Sequence, residues 1–311
     1  MRASRAVGGG SFAGAVAEVA LRRTRMPAGP IAALVFVALA WGGAFSVIKD
    51  TLATISPAGL VTWRFAIAAA VLLLIRPDSL AHLRTRTAVR GAGLGLLLGA
   101  GFLLHTWGMQ STSVVVSAFI TGTVVVFAPL VARIWLRRRL GRRSAFAILL
   151  ATAGLAVITV RGAAFGWGEL LIGLAALLWA VHLVALERWT APDEVYPTAL
   201  IQLGVVAGLG AVVEVLTAGR VAVPTAPSEL WALCGLGAVA TAAAFVALTW
   251  AQTRTDATTS AVVLTLEPVF GAATAVVLGE SLSMPVALGA VAVIIAACVV
   301  ARPQPQLVLA A

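Results

Sequence analysis

The chain has 311 residues, 61% of them hydrophobic and only 11% charged, and its mean hydropathy is +1.03. Soluble domains run near 25% charged, so this composition excludes an ordinary water-soluble enzyme or binding module and places the chain among membrane proteins. The formal charge of +10 raises nucleic acid as a partner, but the arginines, taken in order, trace one face of a membrane and do not build a nucleic-acid groove.

Residues 1–29 hold Arg2, Arg5, Arg22, Arg23 and Arg25 around a weakly apolar stretch that contains Glu18. That stretch is too polar for a signal-peptide core and reads as a basic cytoplasmic tail. A helix needs about 20 apolar residues to cross a bilayer. Ten apolar spans are expected near 31–51, 57–76, 88–109, 113–136, 144–161, 167–187, 195–217, 229–251, 256–279 and 284–302, with a short tail at 303–311. With the N-terminus inside, 18 of the 22 Arg and Lys residues fall on cytoplasmic pieces and three, Lys49, Arg161 and Arg220, fall outside. That bias predicts ten crossings with both termini cytoplasmic. Lys49, near the outer surface, is expected to be solvated or locally paired. Most tryptophans fall near span ends, where aromatic belts sit; Trp41 and Trp179 are the two near mid-span.

Those two tryptophans are in register. LAWGGAFSVIKD (39–50) aligns with LLWAVHLVALER (177–188), and 23 residues beyond each tryptophan stand Arg64 and Gln202. Farther on, VVVFAPL (124–130) aligns with LTLEPVF (264–270) through Pro129 and Pro268. The matches predict a duplicated five-helix unit, residues 30–161 and 162–302. Five is odd, so the second copy enters upside down, as in carriers with a midplane site between inverted repeats.

The residues that carry this pattern also carry a resemblance. WGGAFSVIK, WRFAIAA and STSVVVSAFITGTVVVFAPL in the first half, with ALLWAVHLVALERW, IQLGVVAG and LEPVFGAATAVVLGESL in the second, resemble the EamA-type ten-helix permeases of the drug/metabolite transporter superfamily. The resemblance covers about residues 31–302. It implies an all-α polytopic bundle in the bacterial inner membrane, acting as a secondary carrier, usually an exporter of amino acids, metabolites or drugs. One departure stands out: the first half reads RRRLGRR where an acidic counterpart of Glu280 is expected.

Glu267 sits mid-span with Pro268 behind it, and an intramembrane carboxylate normally faces a protein interior or a watery cavity. It reads either as a protonatable coupling group or as the donor to a backbone carbonyl that Pro268 leaves free. Arg64 reads as a bidentate partner for a substrate carboxylate, or as a side chain that snorkels outward or pairs with Asp50 or Glu280. Trp41 and Trp179 read as cavity walls that stack on substrate, or as packing residues. Gly42 and Gly43 suit close approach of another backbone. His182 and Gln202 are substrate-facing or interhelical hydrogen-bonding residues, Pro129 and Pro268 are gating candidates, and His105 is placed near the outer interface.

His82, His105 and His182 lack metal-ligand spacing, Cys234 and Cys298 lie apart in separate spans, and there is no Walker loop, H-E-x-x-H or G-x-S-x-G. No cofactor, metal or covalent chemistry is expected. The expected partners are a small-molecule substrate and membrane lipids, with proton coupling through Glu267, in a monomer or homodimer. The competing readings are an uptake carrier or facilitator, and a non-transporting scaffold or sensor.

Overall fold

The computed structural model describes residues 28–81, 83–159, 166–277 and 284–301. The tail before Ala28, the tail after Ala301, His82, Arg161 and Gly279–Glu280 lie outside the described residues. Among the described residues every regular element is helical. They are α1 (Ala28–Thr51), α2 (Pro57–Ile75), α3 (Thr85–Ser111), α4 (Val114–Gly122), α5 (Val124–Trp135), α6 (Arg142–Thr159) and α7 (Trp167–Trp189). Then come α8 (Val195–Ala218), α9 (Pro227–Gly237), a π segment (Ala238–Ala243), α10 (Ala244–Gln252), α11 (Ala257–Leu264), α12 (Glu267–Val277) and α13 (Met284–Ala301). Seven stretches are long and apolar enough to cross a membrane: α1, α2, α3, Val116–Trp135, α7, α8 and Pro227–Gln252. Ala287–Ala301 is a shorter apolar helix. The chain is a multi-pass membrane protein.

Local chemistry sets the helix ends. Ser56 accepts from the Gly59 N–H with Pro57 in the first turn of α2, Ser113 caps α4, and Asp256 caps α11. Gly219 closes α8 with a φ of 76°, a conformation that favours glycine.

The two halves interleave. The most extensive packing pairs are α6 with α13, α3 with α7 and α8, α2 with α8, and α1 with α12 and α10. Each joins a helix before residue 160 to one after residue 165, so neither half encloses its own interior. Small residues make this possible. Gly91, Gly95 and Gly99 recur every fourth residue along α3, and a Cβ on any of them would meet Ile201, Gln202 or Leu209 of α8 within about 3 Å.

Polar ties mark the two ends of the bundle. At one end Ser56 donates to Glu214 (2.6 Å) and Trp63 to the Ala222 carbonyl (2.8 Å). There too the Lys49 ammonium donates to the carbonyls of Met109 and Thr112, the latter at 3.1 Å. These are carbonyls at the C-terminus of α3, where a helix lacks internal partners and favours a cation. Lys49 is thus locally paired and ties α1 to α3. Lys49→Met is expected to cost about 1 kcal/mol and to lower the thermal unfolding midpoint measurably, while Lys49→Arg keeps most of it. At the other end Arg138 pairs with Glu187, whose second oxygen accepts from the Ala257 N–H at 2.8 Å, and Arg90 donates to the Trp189 carbonyl at 3.2 Å.

Three spans expected to be continuous are interrupted. Span 113–136 breaks at Thr123, six residues before Pro129. Span 256–279 breaks at Thr265–Leu266, so Pro268 enters the second position of a new helix, where no N–H is needed. This corrects the expectation that Glu267 sits within a continuous helix, and with it the one of its two readings in which it donates to a carbonyl freed by Pro268. The third interruption, the π segment within 227–252, has no proline to announce it.

Candidate functional site

The two helix breaks border one cavity of about 80 Å³, and the π segment backs it by holding Trp41 and Arg64. Thr121, Gly122 and Val124 line it from the α4–α5 break, and Leu264, Thr265, Glu267 and Pro268 from the α11–α12 break. Trp41, Arg64, Trp179 and His182 also reach it, so six of the eight residues singled out for chemistry, Glu267 and Pro268 included, converge on one space.

Arg64 is only 4% exposed, despite its charge. It neither snorkels nor pairs with Asp50, which is exposed. Its Nε donates to Thr241 Oγ1 at 2.6 Å and its Nη2 to the Ala240 carbonyl at 3.1 Å. Thr241 Oγ1 in turn donates to the Leu236 carbonyl at 2.7 Å. The same Ala240 carbonyl accepts from Trp41 Nε1 at 2.9 Å. A π turn rearranges the helical ladder, and here it presents Ala240 and Thr241 to two side chains of the opposite half. The guanidinium lies 5.2 Å from the Phe102 ring centroid and 5.6 Å from that of Phe65, within cation–π range. Two of its five N–H groups are committed to the π segment.

Glu267 shares the cavity with Arg64, and the two interact electrostatically without forming a contact ion pair. Its position is fixed by the backbone. Gly42 of α1 lies so close to α12 that a Cβ there would collide with the Glu267 carbonyl and come within 2.9 Å of the Gly271 nitrogen. Gly43, by contrast, faces open space. Only the first glycine of the pair serves close approach.

The aromatic wall is continuous. Trp179 packs on Phe102 at 4.9 Å and on His105 at 5.1 Å, and Phe245 bridges Trp41 at 5.5 Å to Phe102 at 6.1 Å. His105 is 5% exposed and lines the cavity, which corrects its placement at the outer interface. His105 Nε2, Trp179 Nε1 and Thr121 Oγ1 are buried and have no hydrogen-bond partner among the described residues. Trp179 Nε1 is packed against α3, where a Cβ on Gly101 would stand 2.5 Å from it, so His105 and Thr121 are the cavity-lining residues whose buried polar atoms are unmatched there.

Two residues singled out for the site stand away from it. Gln202 is fully buried behind the wall. Its Oε1 meets His182 Nε2 at 2.9 Å, and its Nε2 donates to Thr249 Oγ1 at 3.3 Å. It braces His182 and ties α7, α8 and α10 together. Pro129 is buried inside α5 and does not line the cavity.

The model of the EamA-like transporter family matches residues 29–160 and again residues 166–302. The chain belongs to this family. It is 27% identical over 268 residues to an uncharacterized transporter of Archaeoglobus fulgidus, covering 86% of this chain and 84% of that one. It is 29% identical over 159 residues to the uncharacterized transporter YyaM of Bacillus subtilis, covering 48% of this chain and 52% of that one. A crystal structure titled only as that of a protein shares the fold, with a TM-score of 0.69 at 21% identity over 86% of this chain and 94% of that one. In this EamA-like transporter the cavity draws on both matched segments. Trp41, Arg64, Phe102 and His105 come from the first, and Trp179, His182, Phe245 and Glu267 from the second.

Thr241 and its π segment, Thr121 and His105 are the site residues that sequence reasoning missed. A threonine in an alanine run carries no mark of a π turn. His105 stood out as a histidine in an apolar span, but the helix face it occupies was not readable.

Proposed function

We propose that this transporter is a secondary carrier that exports a small amphipathic metabolite, of the amino-acid or drug class, across the bacterial inner membrane by alternating access. The observation that carries the reading is the meeting of two broken helices, one from each half, at a shared cavity. Interrupted backbone at membrane depth is tolerated only inside protein or beside water, and inverted-repeat carriers build their sites from such helices. Ten crossings, two inverted five-helix repeats and cytoplasmic termini complete the proposal. The alignment through Trp41 and Trp179 and the arginine-rich end that holds Arg90, Arg138 and Arg254 support them.

In this reading Arg64 offers its uncommitted N–H groups to a solute carboxylate, and Trp41 and Trp179 clasp the apolar body. His105 and Thr121 supply hydrogen bonds to the solute's polar groups. Glu267 carries the coupling proton. His182, braced by Gln202, completes the wall, while Pro268 and Pro129 shape the two broken helices that hinge. Ligand pockets usually measure about 300–1,000 Å³, so a cavity of about 80 Å³ admits a few waters, and loading requires the halves to part.

The test is flux from purified proteoliposomes, with and without a proton gradient, against a panel of amino acids, uncharged analogues and cationic drugs. Gradient-driven movement of carboxylate-bearing amphipathic solutes is expected. Glu267→Gln should abolish the pH dependence while the protein stays folded in the membrane. A pH dependence that survives the substitution overturns the coupling role, and absence of flux for the whole panel overturns the substrate class.

A further inference from the structure

A second cavity, of about 440 Å³, lies on the far side of the π segment, between α1, α2, α8 and α10. The carrier reading makes no use of it. Its wall is hydrocarbon: Ala33, Val71, Leu72, Ile75 and Val246 are typical of it. Its polar-tipped residues are Tyr196 and Trp250, and the Tyr196 hydroxyl is spent on the Leu72 carbonyl at 2.6 Å. No charged side chain lines it.

The rim differs. Two aromatic rings of the wall each carry a guanidinium. Arg76 lies 5.1 Å from the Tyr196 centroid and Arg254 lies 4.4 Å from that of Trp250. Neither arginine has a carboxylate partner among the described residues. Arg76 follows the last turn of α2 and Arg254 that of α10, at helix ends where headgroups lie. Basic pockets between spanning helices bind anionic lipid headgroups, and guanidinium groups suit phosphate. We propose that this groove seats one acyl chain of an anionic phospholipid, with its phosphate held by Arg76 and Arg254. The chain's own N-terminal segment is a poor occupant. Its five arginines, Arg2, Arg5, Arg22, Arg23 and Arg25, would bring like charge to the rim.

Native mass spectrometry of the full-length protein tests this, with phosphatidylglycerol and phosphatidylcholine of matched acyl chains titrated in turn. One phosphatidylglycerol should be retained about tenfold or more tightly than phosphatidylcholine. The paired substitution Arg76→Gln and Arg254→Gln should erase that preference, whereas Arg137→Gln with Arg139→Gln should leave it. Ala243→Phe, which fills the groove, should reduce retention of both lipids. Thermal unfolding of each variant separates lost binding from lost fold. Equal retention of the two lipids by the unaltered protein overturns the proposal. So does an equal loss in the Arg137/Arg139 pair, which would mean diffuse charge attraction, and so does retention that Ala243→Phe does not change.

Discussion

Gly42→Ala is expected to cripple this transporter, whereas Gly43→Ala, one residue away, is expected to leave it folded and active. The contrast follows from what a methyl group meets. At position 42 it would collide with the Glu267 carbonyl and stand 2.9 Å from both the Gly271 nitrogen and Phe270 Cβ. Two of these are backbone atoms of α12 and cannot rotate away, so α1 and α12 must separate. Overpacking of this kind costs about 1–3 kcal/mol, and a larger side chain such as leucine costs more. The displacement also falls on the two elements that define the cavity, because Trp41 adjoins Gly42 and Glu267 begins α12. At position 43 a methyl group meets nothing within 4 Å. There alanine replaces a residue that weakens helices by up to about 1 kcal/mol. Size-exclusion profiles and melting curves of the two variants, beside flux, check this. If Gly42→Ala melts and transports like Gly43→Ala, the α1–α12 crossing is looser than this geometry states.

Much of this was legible from the order of residues, for physical reasons. Hydrocarbon imposes long apolar runs on anything that crosses it, so the helices announced themselves. An ionisable side chain in such a run must find an interior, so Arg64 and Glu267 could be marked before any contact was seen. What composition does not encode is which way a helix faces once it is apolar all round. Gln202 and His182 lie on helices with little amphipathic contrast, and only packing decides that His182 meets the cavity while Gln202 stands behind it. For the same reason His105 was misplaced: three apolar faces of α3 are alike until α7 packs on one of them. Helix breaks were partly legible. Pro129 and Pro268 flagged the right spans, but the interruptions fall at Thr123 and Thr265–Leu266, upstream of each proline. Proline disfavours the helical geometry of the residue before it and strips a partner from the preceding turn. The site of yielding then depends on where a neighbouring helix leaves room. The π segment was not legible at all. Its function is relational: Ala240 matters because Trp41 and Arg64, both from the other half, end there.

Arg64→Leu is expected to be among the most damaging single changes away from a helix crossing. Arg64 is 4% exposed and holds Thr241 and the Ala240 carbonyl across the interface between the halves. Removing it breaks that link and leaves Glu267 in an aromatic cavity without its nearby cation. Leaving the buried Thr241 hydroxyl and Ala240 carbonyl without their charged donor costs about 1–3 kcal/mol, and Glu267 loses a favourable charge in the same cavity. The damage should therefore be partly relieved by removing the other charge as well. In a double-mutant cycle, Arg64→Leu with Glu267→Gln should be more stable than the sum of the single changes by about 0.5–3 kcal/mol. Arg64→Lys should fall between, because an ammonium keeps the charge but lacks the planar fork that reaches Thr241 and Ala240 together. Thermal unfolding in detergent measures all four corners of the cycle without reference to any substrate. Strict additivity would mean that Arg64 serves only the π segment and that Glu267 is indifferent to it. Flux then separates the two duties of the guanidinium. If it also holds a carboxylate, Arg64→Lys should depress transport of carboxylate-bearing solutes well beyond that of their uncharged analogues, and an equal loss for both would leave Arg64 as a brace between the halves and nothing more.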